Sequence, residues 1–289
     1  MKKQLVFIPL FIAAAIFISQ CLNKNTAPVQ KAAVANPLAM THKEAVDSLL
    51  VDSSAPIKPL KFKELNAQEV LTFLNKNRLD SLFVSEYPYP VNGFYGEDRY
   101  RIEFIIDACT QDKNDPSVYQ LVGRDRHKKN ITPFVGTFKI NRLRTFEDPN
   151  LDTSEVDGMK AMALYAAEGV FQLDEDKANA YSGQFKGTVK FEFSTNSETN
   201  RADLWFYSKQ LPSSGGGYRF DGNWTSYTKP DMVKPVIFAA DLFIFANDIL
   251  KDFSMGEREV EINKKYQDLG WKDIWENEEW WTKAEKPKM

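Results

Sequence analysis

Alternation of apolar and polar residues dominates the middle of the chain. In the longest run, 181–194, every odd-numbered residue is apolar or glycine and every even-numbered residue is polar. Successive side chains lie on opposite faces of a strand, so a period of two predicts a half-buried strand. A second run sets one apolar face against a largely charged one, and its apolar residues are Tyr100, Ile102, Phe104, Ile106 and Ala108. It predicts another strand of the same kind.

Shorter apolar stretches predict five more strands, at 118–124, 133–141, 167–173, 202–209 and 218–227. The links between them are short and polar, and short links join antiparallel neighbours. The glycine-rich run 213–217 is expected to be the loop of a hairpin between 202–209 and 218–227. The pattern therefore predicts a mainly β fold, an antiparallel up-and-down barrel or a sandwich, with strands over about 94–227.

Helical periodicity replaces the strand pattern on either side of this region. Over 66–80 the apolar residues cluster on one side, and Asn66 with Glu69 has the spacing of a capping box. An N-terminal helix is expected there. The segment 228–289 is expected to be mixed, with short helices near the C-terminus; within it, 236–244 fits either a strand or a buried helix.

A glycine followed two residues later by an aromatic residue recurs in three of the predicted strands. The copies are Gly136-Thr137-Phe138, Gly183-Gln184-Phe185 and Gly222-Asn223-Trp224. A small residue beside a large one on an inward face suits a sheet that curves and closes. The motif resembles the Gly-x-Trp of calycin-type barrels, the lipocalins and avidins, and the resemblance implies a barrel. An ordinary sandwich whose glycines relieve crowding is the alternative.

The N-terminal residues 1–20 have the plan of an export signal. Lys2 and Lys3 precede an apolar run at 5–18, which is shorter than the ~20 residues of a membrane-spanning helix. Residues 18–21 resemble a bacterial lipobox, although Gln20 stands where a small residue is preferred. The resemblance implies cleavage before Cys21 and acylation of that cysteine, palmitate included, which is enough for stable anchoring.

After Cys21 the composition changes twice. Residues 21–59 are rich in Asn, Thr, Ala, Pro, Lys and Ser, which is typical of a flexible spacer, and 60–289 form the β-rich domain. A lipobox, a spacer and a Gly-aromatic β domain together resemble lipoproteins of Bacteroidota, which implies an outer-membrane address and no particular activity. Residues 22–25 lack the acidic residues typical of surface-exported members, so we expect the protein to face the periplasm.

Few residues of the chain are suited to catalysis or metal binding. There are two histidines; His42 lies in the spacer, and His127 lies in a charged stretch that we interpret as a solvated hairpin loop. Cys109 is expected to be an inert thiol. The run 148–159 begins like a calcium loop but lacks the glycine and the last ligand of one. We therefore predict no catalytic residue, no metal and no cofactor.

The functional prediction is a non-catalytic envelope lipoprotein that binds a small apolar or glycan ligand, or an envelope protein. The candidate ligand-binding residues are Phe138, Phe185, Phe191 and Trp224, because they are aromatic and on the predicted inward faces. A net charge of −3 argues against nucleic acid.

Two alternatives stay open. A carboxylate-based hydrolase acting on glycans requires two carboxyl groups that converge, and no spacing in the sequence singles out such a pair. The tryptophans of the tail, Trp271, Trp275, Trp280 and Trp281, either cover the flank of the sheet or form a patch for a partner.

Overall fold

The computed structural model describes residues 58–84, 89–149, 162–199, 201–206, 209–251, 261–274 and 279–283. The export signal, Cys21, most of the spacer, Trp275 and most of the calcium-like run lie outside these residues. Within them, no helix is both long enough and apolar enough to cross a membrane.

Eight antiparallel strands close into a barrel in the order of the chain. The ring strands are β2 (Val91–Tyr95), β3 (Tyr100–Gln111), β4 (Val118–His127), β5 (Asn130–Glu147), β6 (Met162–Glu175), β7 (Gly183–Asn196), β9 (Tyr218–Ser226) and β10 (Val233–Ala239). Each pairs with the next, and β10 pairs with β2 to close the ring. The prediction of a mainly β, antiparallel fold is confirmed, and the sheet closes as an up-and-down barrel.

The remaining elements lie outside the ring. Strand β1 (Lys61–Glu64) extends β5, and β8 (Arg201–Leu204) pairs with the end of β7. Two short strands, β11 (Leu250–Lys251) and β12 (Glu261–Ile262), pair with each other. The helical elements are α1 (Ala67–Lys76), two 3₁₀ turns (Asp80–Leu82 and Phe243–Phe245), α2 (Lys264–Tyr266), a π turn (Gln267–Trp271) and α3 (Trp280–Lys283).

The two ends of the barrel are built differently. At the hairpin end, short turns follow Tyr95, His127, Glu175 and Ser226. At the helix end, α1 and the first 3₁₀ turn lie against the strands. The predicted capping box starts α1: Glu69 N donates to Asn66 Oδ1 at 3.0 Å, and Asn66 N donates to Glu69 Oε2 at 2.8 Å. Gln111 Nε2 donates to Leu74 O at 3.0 Å and so ties the helix to β3.

Aromatic side chains fill the barrel interior. Phe238 stacks on Phe104 at 4.0 Å and on Phe220 at 4.5 Å between ring centroids. From the helix end, Phe83 enters this core, with its ring 4.8 Å from Phe138 and 5.2 Å from Phe191. An eight-stranded barrel is just wide enough to be filled by side chains, so Phe83 acts as the plug of the helix end.

Glycines let the wall curve around these rings. Gly187 and Gly222 are directly opposite each other on β7 and β9. A Cβ on Gly187 would lie 2.0 Å from Asp221 O and 2.5 Å from the Cα of Gly222. Any side chain at this crossing would therefore force the two strands apart. The prediction that Gly-aromatic repeats mark a closing sheet agrees with this packing.

The outer face of β3 is more buried than the alternation predicted. Glu103 is 6% exposed, and the C-terminal segment covers it: Trp280 is 5% exposed and its ring lies beside the Arg126 guanidinium. Trp271 is fully buried, and its Nε1 donates to Arg99 O at 2.9 Å. Trp271 and Trp280 thus cover the flank of the barrel, the first of the two alternatives considered for the tail.

A β-bulge explains a second difference on β3. The register with β4 shifts between Ile106 and Ala108, so Asp107 is an extra residue and the alternation changes phase there. Cys109, which strict alternation assigns to the charged face, therefore joins the core at 8% exposure.

Two other sequence predictions were wrong. Strand β8 ends at Leu204 and pairs with β7, so 202–209 and 218–227 do not form a hairpin. Tyr181 does not continue the alternation of β7: its φ is +63° and its side chain is 82% exposed. The ambiguous segment 236–244 is resolved as part of a strand up to Ala239, where β10 ends, followed by a turn and the start of a 3₁₀ helix at Phe243.

We expect Phe83→Ala to lower the free energy of unfolding by about 3–5 kcal/mol, because it opens a cavity in an aromatic core. Leu71→Ala, on the exposed side of α1 at 40% exposure, is the matched control and should change it by no more than about 0.5 kcal/mol. Urea unfolding measures both. Equal, small losses for the two variants would show that Phe83 does not close the core.

Candidate functional site

The four predicted ligand-binding residues all face the barrel interior. Phe138, Phe185 and Phe191 are 0–1% exposed, and Trp224 is 5% exposed. Phe138 and Phe191 contact the plug residue Phe83 near the helix end. Phe185 and Trp224 lie nearer the hairpin end. The structure thus divides the four between two regions, and ligand binding by them stays a prediction.

An open cleft with a volume of about 830 Å³ lies at the helix end beside Phe83. We call it the helix-end cleft. Its apolar lining residues are Leu82, Phe83, Val84, Pro90, Val91, Phe104, Ile105, Ile106, Ala202, Leu204 and Ala240, and its polar ones are Ser81, Tyr89, Arg201, Asp203 and Tyr218. The walls come from residues 81–84, residues 89–91 at the start of β2, β3, β8, the start of β9 and Ala240 after β10.

The charged residues of the helix-end cleft are paired with each other. Arg201 Nε donates to Asp203 Oδ1 at 2.8 Å, and both side chains are mostly exposed. An exposed pair of this kind contributes little to stability. The cleft is lined by more apolar than polar residues, but the surface that it exposes is about half polar.

At the hairpin end, two carboxyl groups converge inside the barrel. Asp125 on β4 and Glu175 on β6 are 2% and 6% exposed and lie within hydrogen-bonding reach of each other. Glu175 Oε2 also accepts from Trp224 Nε1 and from Gly183 N, each at 2.6 Å. The ring of Trp224 thus packs in the core, and its indole nitrogen donates a hydrogen bond to the buried carboxyl of Glu175.

Burial governs the ionisation of this pair. It raises the pKa of Asp125 well above the usual value, and the charge of Glu175 raises it further. Burial also raises the pKa of Glu175, against the hydrogen bonds from Trp224 and Gly183, which lower it. A carboxyl held next to a second buried carboxyl keeps its proton to a higher pH than a free carboxyl does, so the pair shares one proton above the usual carboxyl pKa.

His127 belongs to the same end of the barrel. It is the last residue of β4, not part of a solvated loop, and its ring lies 4.4 Å from Tyr95 and 5.1 Å from Tyr100 between centroids. Burial and, to a smaller extent, the charge of Lys128 together lower the pKa of His127 to about 4, against Asp98, which raises it. The imidazole is therefore neutral at pH 7. The alternation of inward and outward residues continues from Leu121 and Gly123 to Asp125 and His127. This pattern in the sequence indicates that both side chains lie inward, and the prediction of a solvated loop did not use it.

A small cavity of about 30 Å³ lies among these groups, which we call the hairpin-end cavity. Its lining residues are Tyr95, Ile102, Asp125, His127, Asn130, Thr132, Glu175, Ala180, Tyr181, Phe185 and Trp224. This space holds one or two water-sized groups and no sugar ring. The two carboxyls are also in contact, whereas glycosidase pairs stand about 5 Å or more apart.

The Cys109 thiol is buried, and the possible metal ligands in the described residues do not cluster. Burial raises the pKa of the Cys109 thiol, which keeps it protonated and unreactive. Among the residues that the structure describes, no three His, Cys, Asp or Glu side chains form a group that could hold a metal ion.

Comparisons with protein-family models, curated proteins and solved structures found no match to this chain.

The shared proton predicts a pH dependence of stability. The pKa of Asp125 in the folded state lies above its unfolded-state value of 3.8. The protonated carboxyl therefore stabilises the folded state fully below pH 3.8, and this stabilisation is lost as the pH rises towards the folded-state pKa. Between its unfolded-state and folded-state pKa values, each such group lowers the free energy of unfolding by ~1.4 kcal/mol per pH unit. We expect wild type to be less stable at about pH 8 than at about pH 5, and Asp125→Asn to reduce that loss.

The matched control is Asp231→Asn, an exposed carboxylate in the turn between β9 and β10, which should leave the slope unchanged. Glu192 adds a separate contribution, because burial raises its pKa to about 7 against hydrogen bonds from Ser213. Glu192→Gln should therefore remove only the slope between pH 4.5 and about 7. An Asp125→Asn protein with the wild-type slope would rule out a shared proton.

Proposed function

We propose that this protein is a non-catalytic envelope lipoprotein, tethered through Cys21, whose barrel binds a small apolar molecule in the helix-end cleft. The observation that carries the proposal is the cleft itself: about 830 Å³ of open space at one end of a closed barrel, where apolar surface lies beside polar groups. Barrel mouths are common sites for small ligands, and this volume lies within the range that holds them.

An apolar ligand is proposed over a glycan because the charged groups of the cleft are bonded to each other. Sugars are recognised through many hydrogen-bonding groups, and those of the cleft lie mostly at its edge, where Arg201 and Asp203 bind each other. Val91, with small exposed parts of the otherwise buried Leu82 and Ile106, offers apolar surface. Removing such surface from water stabilises a complex by roughly 25 cal/mol per Å², and a polar end of the ligand would find its partners at the edge.

The arrangement of titratable groups favours binding over catalysis. The two convergent carboxyls, Asp125 and Glu175, lie at the hairpin end, away from the cleft. In the described walls of the helix-end cleft the acidic side chain is Asp203, and it is already bonded to Arg201.

A carboxylate-based hydrolase is the second candidate. The convergence of Asp125 and Glu175 is the observation in its favour, because two carboxyls are what such chemistry needs. Their mutual contact and the small hairpin-end cavity leave no room for a glycosidic bond and an attacking water. We therefore rank this candidate second.

The proposed address follows from the sequence. A lipid on Cys21 and a spacer at 21–59 would hold the barrel near an outer membrane, facing the periplasm, where apolar molecules need a carrier to cross water.

Ala202→Trp tests the proposed site, because it places an indole in the helix-end cleft. The full-length protein in detergent is titrated with phenylnaphthylamine, a neutral fluorescent probe, and a fatty acid is then added to displace it. We expect wild type to bind the probe and the variant to bind it at least about tenfold more weakly, since the indole occupies the site.

Ala178→Trp, an exposed position in the turn between β6 and β7, is the matched control and should bind as wild type does. Equal binding by both variants would place the probe elsewhere and remove the support for the cleft. Hydrolysis of a glycan by wild type that Asp125→Asn abolishes would favour the second candidate instead.

A further inference from the structure

The hairpin-end cavity is negatively charged without a compensating cation from the protein. Asp125 and Glu175 both line it, and no Lys or Arg is among its lining residues in the described part of the chain. Two buried carboxyls in contact require positive charge between them, supplied by a proton or by a cation.

Two buried polar atoms of the cavity lack a hydrogen-bond partner. Asp125 Oδ2 and His127 Nε2 are inaccessible to solvent and bond to none of the residues that the structure describes. Asp125 is 2% exposed, so its orphaned oxygen lies in the interior. Native proteins rarely leave such atoms unsatisfied, so the Asp125 oxygen requires either the proton shared with Glu175 or another donor, and His127 Nε2 requires a donor of its own. With its proton on Nδ1, neutral His127 presents Nε2 as an acceptor.

Aromatic rings form the rest of the walls. Tyr95 lies 4.4 Å from His127 and 5.7 Å from Trp224 between ring centroids, and Phe185 completes this side of the cavity. The faces of aromatic rings attract cations. Carboxylates and aromatic walls around a water-sized space are together suited to a small organic cation.

We propose that the hairpin-end cavity binds the ammonium group of a small primary amine between Asp125, Glu175 and His127. A primary ammonium group has three donors and no acceptor, so it can satisfy the orphaned atoms of Asp125 and His127 and bond to Glu175. Its size matches a cavity of about 30 Å³. The alkyl part extends towards Asn130, Ala180 and Tyr181, the exposed residues of the lining.

Binding replaces the shared proton. The ammonium ion enters with its charge, the carboxyl pair releases one proton to the buffer, and the net charge of the site is unchanged. The titratable groups that face the pair are His127 from β4, Tyr95 from β2 and Tyr227 beside Glu175, and Lys128 and Asp98 act on His127. Affinity therefore rises with pH for as long as the pair still holds its proton.

Calorimetric titration of the full-length protein with methylammonium chloride tests the proposal, with sodium and potassium chloride at equal ionic strength as references. We expect methylammonium to bind, with proton release that appears as a buffer-dependent heat. Tetramethylammonium, which has no N–H donor, should not bind. Asp125→Asn should weaken binding at least about tenfold, because a charge-assisted hydrogen bond is lost. Asp231→Asn, exposed on the same end, should bind as wild type does.

The amide that Asp125→Asn introduces can donate to Glu175 in place of the shared proton, so we expect that variant to stay folded, and its melting temperature checks this. If it fails to fold, Glu175→Gln replaces it. Equal heats for methylammonium, sodium and potassium would show a site for any cation and overturn the proposal. No heat from any of the salts would show that the pair holds a proton alone, which also overturns it. The helix-end cleft is at the opposite end, so the two proposals stand independently.

Discussion

The structure depends on filling the inside of an eight-stranded barrel. A ring of this size leaves a channel that water would enter unless side chains occupy it. Here phenylalanine rings from β3, β5, β6, β7, β9 and β10 meet in the middle, and Phe83 enters from the helix end to complete the packing. Since closure between β2 and β10 rests on three residue pairs, packing across the interior stabilises the ring more than that seam does.

The two ends of this core differ in chemistry, and the difference separates the two proposed sites. At the helix end the cleft beside Phe83 is open to solvent and exposes apolar surface beside polar groups. At the hairpin end the inward positions of β4 and β6 become acidic and are enclosed with His127. Trp224 links the core to that end, because its ring packs on Tyr95 while its indole nitrogen bonds to Glu175.

Sequence periodicity predicted the parts of the fold that are governed by one strand at a time. The run through Phe185, Phe191 and Phe193 lies inward as the alternation requires, and Asn66 caps its helix as the spacing of Glu69 indicates. A bulge at Asp107 leaves no pattern in a single sequence, which is why Cys109 was assigned to the wrong face. Strand β8 instead folds back on the end of β7, with Asn196 opposite Arg201, so the hairpin forms one link earlier in the chain than the glycine-rich run indicated.

The candidate sites were harder to predict because they are assembled from distant segments. Asp125 and Glu175 are fifty residues apart on β4 and β6, the two neighbours of β5, so only the register of three paired strands brings them together. The helix-end cleft joins Leu82, Ile106 and Leu204 in the same way. Asp125 lies on the same face of its strand as Leu121, and Glu175 on the same face as Leu173, so alternation places both acids inward. The charged residues next to them made these strand ends resemble solvated turns.

Native mass spectrometry of the full-length protein, released gently from the membranes of its own host, tests the central claim most directly. If the helix-end cleft carries a small apolar molecule, the protein ion will include a noncovalent mass that mild activation removes, and the Ala202→Trp protein will lack it. A mass accounted for entirely by the chain and its covalent acyl groups, in wild type and variant alike, would contradict the claim.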